Sequence, residues 1–447
     1  MPQKTDLTTG PITGTMLLFA LPMILGNLLQ QFYNVADTLI VGQFLGATAL
    51  AAVGSSYTLM TFLTSILLGM CMGSGAVFSI RFGEGDRARL KNSLSLSFLM
   101  IAAFTVVMNL AVFLLIDPMM GLLQVPEEVY PLMRSYLWVI FWGIGGTFLY
   151  NYFACLLRAI GNSTTPLLFL GVSAVLNIAL DLVFVVVVPW GVAGAAFATS
   201  LSQWVSGLGL LAFTLAKMPQ LRPSRQDVRW EKDRVLEIAR FSLLTCVQQS
   251  VMNFGILMVQ GLVNSFGTVV MAAFAAAVKI DSFAYMPVQD FGNAFSTFIA
   301  QNYGAKRMDR VGRGIKSAAV SSVVFALLIS VLVFAFAKPL LLFVKPEETE
   351  ILAVGVQYLR IEGAFYFGIG ILFLLYGLYR AIERPGMSLV LTVISLGTRV
   401  ALAYILSAIP AIGVVGIWWS VPIGWALADV TGVLYYKKLR GQLAGRP

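Results

Sequence analysis

The chain has 447 residues, 58% of them hydrophobic and only 11% charged, with a formal net charge of +9 and no histidine. A soluble protein of this length carries about a quarter charged residues, and so little polar material could not cover a water-exposed surface, so a soluble fold is excluded. The missing histidine removes the commonest general base and metal ligand, and the positive balance of so apolar a chain reads as an orientation signal, not a nucleic-acid footprint.

Apolar segments predict an all-α polytopic membrane protein of twelve spans. They fall at about 14–42, 48–80, 92–116, 131–157, 165–188 and 192–216, then at about 236–263, 270–300, 315–337, 351–379, 387–409 and 413–436, each near the ~20 residues that cross a bilayer. The first is longer than a signal-peptide core and no small-residue cleavage site follows it, so it is expected to be a retained helix. It carries Pro22, Tyr33 and Asp37. Cys71, Cys155 and Cys246 all lie inside apolar runs, which suits small packing residues better than a disulfide framework.

Span 5 carries Asn177 and Asp181, four residues apart and so on one helix face. Span 6 begins near Gly191 and carries Thr199. The polar stretch Lys217–Arg234 then divides the chain. It predicts an N-lobe of residues 1–220, a cytoplasmic linker at 221–235 and a C-lobe at 236–447.

In the second half, span 7 offers Gln248 and Gln249, and span 8 offers Lys279, Asp281 and Asp290. Glu362 lies on span 10, Arg399 on span 11 and Asp429 on span 12. Charges inside spans cost about 2.5–3.5 kcal/mol each on insertion scales and default to functional candidates. Gln249, Lys279, Asp290 and Arg399 are therefore candidates for a second polar site. Asp290 leads among them as a substrate or proton group, and an ion pair with Arg399 is the structural alternative. Lys279 and Asp281, two apart on a helix, point in different directions. A buried guanidinium needs an acidic partner, expected for Arg399 from Asp290, Glu362 or Asp429.

Of the 30 lysines and arginines, 24 lie at the N-terminus, after even-numbered spans, or at the C-terminus. The positive-inside rule then makes both termini cytoplasmic. In that topology Asp37 lies five residues before Gly42, Asp181 eight before Pro189 and Thr199 eight after Gly191, all near outer helix ends. At a rise of ~1.5 Å per residue, three helices bring these oxygens to similar depth. Two carboxyls, an amide oxygen and a hydroxyl suit a small hard cation such as Na⁺, and two neighbouring carboxyls can equally share a proton.

The chain repeats itself. Gly46, Ala51, Ala52 and Gly83 match Gly267, Ala272, Ala273 and Gly304 at a shift of 221 residues. Tyr136, Arg158, Gly191 and Gly194 match Tyr358, Arg380, Gly413 and Gly416 at 222. Six spans return the chain to its starting side, so the copies run parallel, two six-helix bundles around a central cavity. Asp37, Asn177, Asp181 and Thr199 map onto Met258, Arg399, Ala403 and Val421. The scaffold is duplicated and this cluster is not, which points to function over packing.

These elements together resemble the multidrug and toxic compound extrusion (MATE) family across the whole chain. They are Pro22 followed by Tyr33-Asn-Val-Ala-Asp37, the pair Asn177-Ile-Ala-Leu-Asp181, Ala198-Thr199, Arg81-Phe-Gly-Glu-Gly85, and Gln301-Asn-Tyr-Gly-Ala305-Lys. The resemblance implies export of amphiphilic, often cationic small molecules against H⁺ or Na⁺, by a monomer in the cell membrane without a cofactor. It also implies a cation site at Asp37, Asn177, Asp181 and Thr199 with Tyr33 nearby, as in the DinF-like branch, and a bending role for Pro22. Members of the NorM-like branch carry an acid in span 7, where this chain has Gln248 and Gln249.

Two other readings compete. A lipid-linked oligosaccharide flippase of the same superfamily would carry a strongly basic cavity for phosphates, and only Lys279 and Arg399 are intramembrane cations here. A membrane-embedded enzyme would need a nucleophile–base set or a metal cluster, for which a chain without histidine leaves little.

Overall fold

The computed structural model describes residues 6–123, 125–224, 227–341 and 347–444. Lys4, Arg225, Lys345 and Arg446, which entered the charge count, lie outside them. Among the described residues, eleven single helices are long and apolar enough to cross a membrane. They are α1 (Ile12–Leu45), α2 (Ala47–Gly83), α3 (Arg87–Leu114), α4 (Tyr130–Ala159), α5 (Thr164–Val187), α6 (Gly191–Lys217), α7 (Lys232–Asn264), α8 (Thr268–Gly304), α9 (Met308–Ala335), α11 (Pro385–Ser407) and α12 (Val414–Leu439). The remaining crossing, α10, is a pair, Thr349–Gly363 and Tyr366–Ala381, bent by 50°. All twelve expected spans are present, each within a few residues of its place in the sequence.

Turn chemistry explains why the spans stop where they do. The link from α1 to α2 is Gly46 alone, at φ +88°, and its repeat copy Gly267 links α7 to α8 at φ +97°. An added Cβ would touch nothing at either position, so glycine is required for the backbone conformation and not for space. Leu114, Val107, Val187 and Val331 point outward from the bundles, each more than 60% exposed. That is the pattern of lipid-facing surface, where backbone groups must be satisfied inside each helix.

The helices form two compact units, one of residues 21–246 and the other of 6–20 with 247 onward. The units thus divide away from the boundaries expected at 220 and 236, and hydrogen bonding at the helix ends explains the difference. In the second unit the Arg310 guanidinium donates to the carbonyls of Leu7, Thr9 and Gly10 at 3.3, 3.0 and 2.9 Å. Asn302 Nδ2 donates to Leu7 O at 3.0 Å, and the Thr13 and Ser317 hydroxyls meet at 2.6 Å. The first unit holds the start of α7 in the same manner. Arg81 bridges Glu84 and Glu237 at 2.7 and 2.5 Å, Ser74 and Ser242 hydroxyls meet at 2.9 Å, and Gly73 packs against the backbone of Phe241 and Ser242.

Within the first unit, α4 and α6 touch backbone to backbone. A Cβ on Gly146 would stand 2.6 Å from Trp204 N, and one on Gly207 would stand 2.5 Å from Gly146 O. Close approach through small residues is how membrane helices associate when lipid removes the hydrophobic drive between them. These two helices carry part of the candidate site.

Candidate functional site

Four helices of the first unit converge on one buried polar cluster. α1 contributes Tyr33 and Asp37, α5 contributes Asn177 and Asp181, α6 contributes Thr199, and α4 contributes Tyr136. The four-residue spacing on α5 puts Asn177 and Asp181 on its inward face, where they are 2% and 0% exposed. The Asp37 and Asp181 carboxyls face each other closely enough to share a hydrogen bond when one of them holds a proton. Asn177 Nδ2 donates to Thr199 Oγ1 at 3.1 Å, and the Thr199 hydroxyl donates to Ala195 O at 3.2 Å. Tyr33 lies beside Gln30 and in the field of Asp37.

The sequence-derived cluster is therefore one place in space, and its oxygens are underused. Asp37 Oδ1, both oxygens of Asp181 and Asn177 Oδ1 are buried and accept no hydrogen bond from the protein. A buried acceptor left unmatched costs about 1–3 kcal/mol, more when charged. Two facing carboxyls in low dielectric also need a positive charge between them. The arrangement can take one proton or one small cation. Among the described residues no three or more histidine, cysteine, aspartate or glutamate side chains gather as a metal site. A cation here would thus be held by two carboxyls and neutral oxygens, which suits a monovalent ion over a transition metal.

Pro22 does not touch the cluster. It lies fifteen residues before Asp37 on the same helix, or roughly 22 Å at the α-helical rise. The chain passes from one compact unit to the other between Ala20 and Leu21, immediately before it. Any action on the site therefore runs along α1 itself.

Two features enter only through the structure. Tyr136 is buried beside Asp37 and Asp181, and its exact repeat match, Tyr358, is the sequence signal that could have marked it. Immediately after Asp181 the helix widens into a π-helical turn, Leu182–Val187, with Val188 N bonded to Val183 O at 2.7 Å. Such turns recur at functional sites. The matching stretch of α11 is plain α-helix up to Ser407.

The second-unit candidates differ in burial. Lys279 is exposed, Asp290 is buried at 4% exposure, and Gln249 is half-buried with its backbone carbonyl accepting from Asn253 at 3.1 Å. Asp281 and Glu362 both face Arg399. Glu362 was expected in that role. Asp281 joins it because the turn of α8 that exposes Lys279 directs Asp281 inward. Asp429 instead lies beside Gly368 and faces Tyr376.

Comparison with known proteins agrees with this architecture. The MatE family profile matches twice, over residues 22–183 and 244–405, and the two matches start 222 residues apart, the period of the repeat. A Bacillus subtilis relative, the probable multidrug resistance protein YpnP, is 30% identical over 444 residues, covering 97% of this chain and 96% of its own. The Shewanella oneidensis FAD transporter is 25% identical over 438 residues, 95% of this chain and 94% of its own. A solved outward-facing multidrug resistance MATE family transporter of the MOP superfamily has the same fold, with a TM-score of 0.92 at 22% identity over 99% of each chain. With its profile present in both halves and a relative matching nearly end to end, the chain belongs to the MatE family of membrane transporters, not to an enzyme family.

Proposed function

We propose that the protein is an H⁺- or Na⁺-coupled antiporter that exports amphiphilic, often cationic small molecules by alternating access, as a monomer with both termini in the cytoplasm. The observation that carries this reading is the set of unmatched buried oxygens on Asp37, Asn177 and Asp181. Binding of a proton or Na⁺ there relieves a charge that the fold leaves uncompensated, which gives the ion a differential affinity between two states of the first unit. A ligand shifts a conformational equilibrium only through such a difference.

Reconstitution into proteoliposomes tests the coupling. Transport of a fluorescent organic cation is expected when a proton or a sodium gradient is imposed alone, and the gradient that works names the ion. FAD belongs in the same assay as a competitor, given the relative that bears its name. Equal transport with no ion gradient would refute the antiport reading.

Pro22 gives a second test. Proline removes the backbone donor at its position and prevents that helical bond from closing, so α1 has a weak point where the chain passes between the units. Pro22→Ala is expected to slow transport several-fold while leaving ion binding at Asp37 and Asp181 intact. Binding is read by isothermal titration with Na⁺ or by proton release. Unchanged transport would make Pro22 a static kink.

A further inference from the structure

The second unit contains a charged cluster in the place that the repeat assigns to the Asp37–Asp181 site. Tyr136 and Tyr358 are repeat equivalents, and each is buried beside its unit's acids: Asp37 and Asp181 in the first, Asp281 and Glu362 in the second. Arg399 stands where the first unit has Asn177, and Ala403 stands where it has Asp181. The carboxyls of the second cluster come from other positions, Asp281 on α8 and Glu362 just before the bend of α10, where the repeat has Met60 and Ile140. The acids are thus not inherited copies, yet they gather around the same tyrosine.

The two clusters have the same charge inventory once an ion is counted. The first unit has two carboxyls and needs one exogenous positive charge. The second has two carboxyls and a guanidinium, which stays charged at any physiological pH. We infer that Arg399 is a resident counter-ion that takes the place of the coupling ion in the second unit. That unit is thereby held in the state the first unit reaches only when its ion binds. The protein then couples through one lobe, and Arg399 determines that the other does not respond.

Packing agrees. Trp418 replaces Ala196 of the first unit and Phe274 replaces Val53. Trp418 stacks on Phe274 at 5.6 Å and meets Tyr358 edge-on at 4.9 Å, filling the space beside the tyrosine. Tyr285 of α8 and Tyr366 of α10 also face the cluster, and neither carries a positive charge. Arg399 Nε, Asp281 Oδ1 and Glu362 Oε2 are buried without hydrogen-bond partners. The guanidinium therefore serves these acids by charge more than by a closed hydrogen-bond network. Deleting one member of such a group leaves an uncompensated buried charge.

The inference rests on the proposed role of Asp37 and Asp181, and the test separates the two. In a D37N/D181N background, melting temperature is measured against Na⁺ and against pH with and without R399N. Without R399N it should be insensitive to both. With R399N it should rise as Na⁺ or acid is added, because two carboxyls now lack their counter-ion. Adding D281N and E362Q to that variant should remove the new dependence. Ion sensitivity that persists in D37N/D181N itself counts against the first-unit site, while the change on adding R399N still reads the second. An R399N variant as ion-insensitive as its background overturns the inference. Should R399N fail to fold without ion, rescue by acid or Na⁺ supports the inference. The neutral combination D281N/E362Q/R399N, in an otherwise native chain, should then fold and keep gradient-driven transport. Failure of that neutral variant to fold, or loss of its coupling, means the cluster does more than balance charge and overturns the inference.

Discussion

Asp37→Asn and Asp181→Asn should each leave the protein folded in the membrane and remove its gradient-driven export. The exchange is isosteric, so the packing of α1 and α5 at these positions is kept. What changes is charge: either amide leaves one carboxyl with no like-charged neighbour, and the demand for a shared proton or cation is gone. Asparagine also brings a donor to the facing oxygens that now accept no hydrogen bond, so thermal stability is expected to hold or rise slightly. Coupling between two ligands typically amounts to 1–3 kcal/mol, about 5–150-fold in affinity. Losing it should lower export against a gradient by about tenfold or more. Substrate binding without a gradient should persist. Vesicle transport at matched protein levels, alongside a melting curve for each variant, gives the answer. Wild-type efflux in both variants would show that these oxygens do not couple transport.

Gly146→Val is expected to have the largest effect on folding. Its Cβ would stand 2.6 Å from Trp204 N and 2.7 Å from Gln203 C. These are backbone atoms of α6, so no rotamer change relieves the clash. Overpacking a tight core costs about 1–3 kcal/mol and sometimes more. Here it also forces apart two helices that approach through Gly146 and Gly207, with Ser200 Oγ of α6 donating to Val139 O of α4 at 3.1 Å. Because α4 positions Tyr136 and α6 positions Thr199, any protein that does fold should bind the ion poorly. The readout is monodisperse yield by size-exclusion chromatography. Gly54→Val serves as a control, since nothing lies within 4 Å of a Cβ at that position. Equal yield and melting temperature for G146V and the parent would mean that α4 and α6 are not packed this closely.

The sequence by itself determined the class, the number of spans and the repeat, and it identified Asp37, Asn177, Asp181 and Thr199 as neighbours. The physical reason is that lipid imposes rules visible one residue at a time. A span must be apolar over about 20 residues, and a charge inside one is costly enough to stand out. Four residues along a helix set a shared face, and similar distances from helix ends on the same side set a shared depth. What the sequence could not show was which helix packs on which, because apolar faces toward lipid and toward protein have similar composition. Tertiary structure alone brought Tyr136 to the acids, placed the π-helical turn beside Asp181 and moved the unit boundaries into α1 and α7. It also decided the surroundings of Arg399. Lys279 and Asp281 are two residues apart and equally conspicuous in sequence, yet only the packing of α8 against α9 and α10 determines which of them is turned inward.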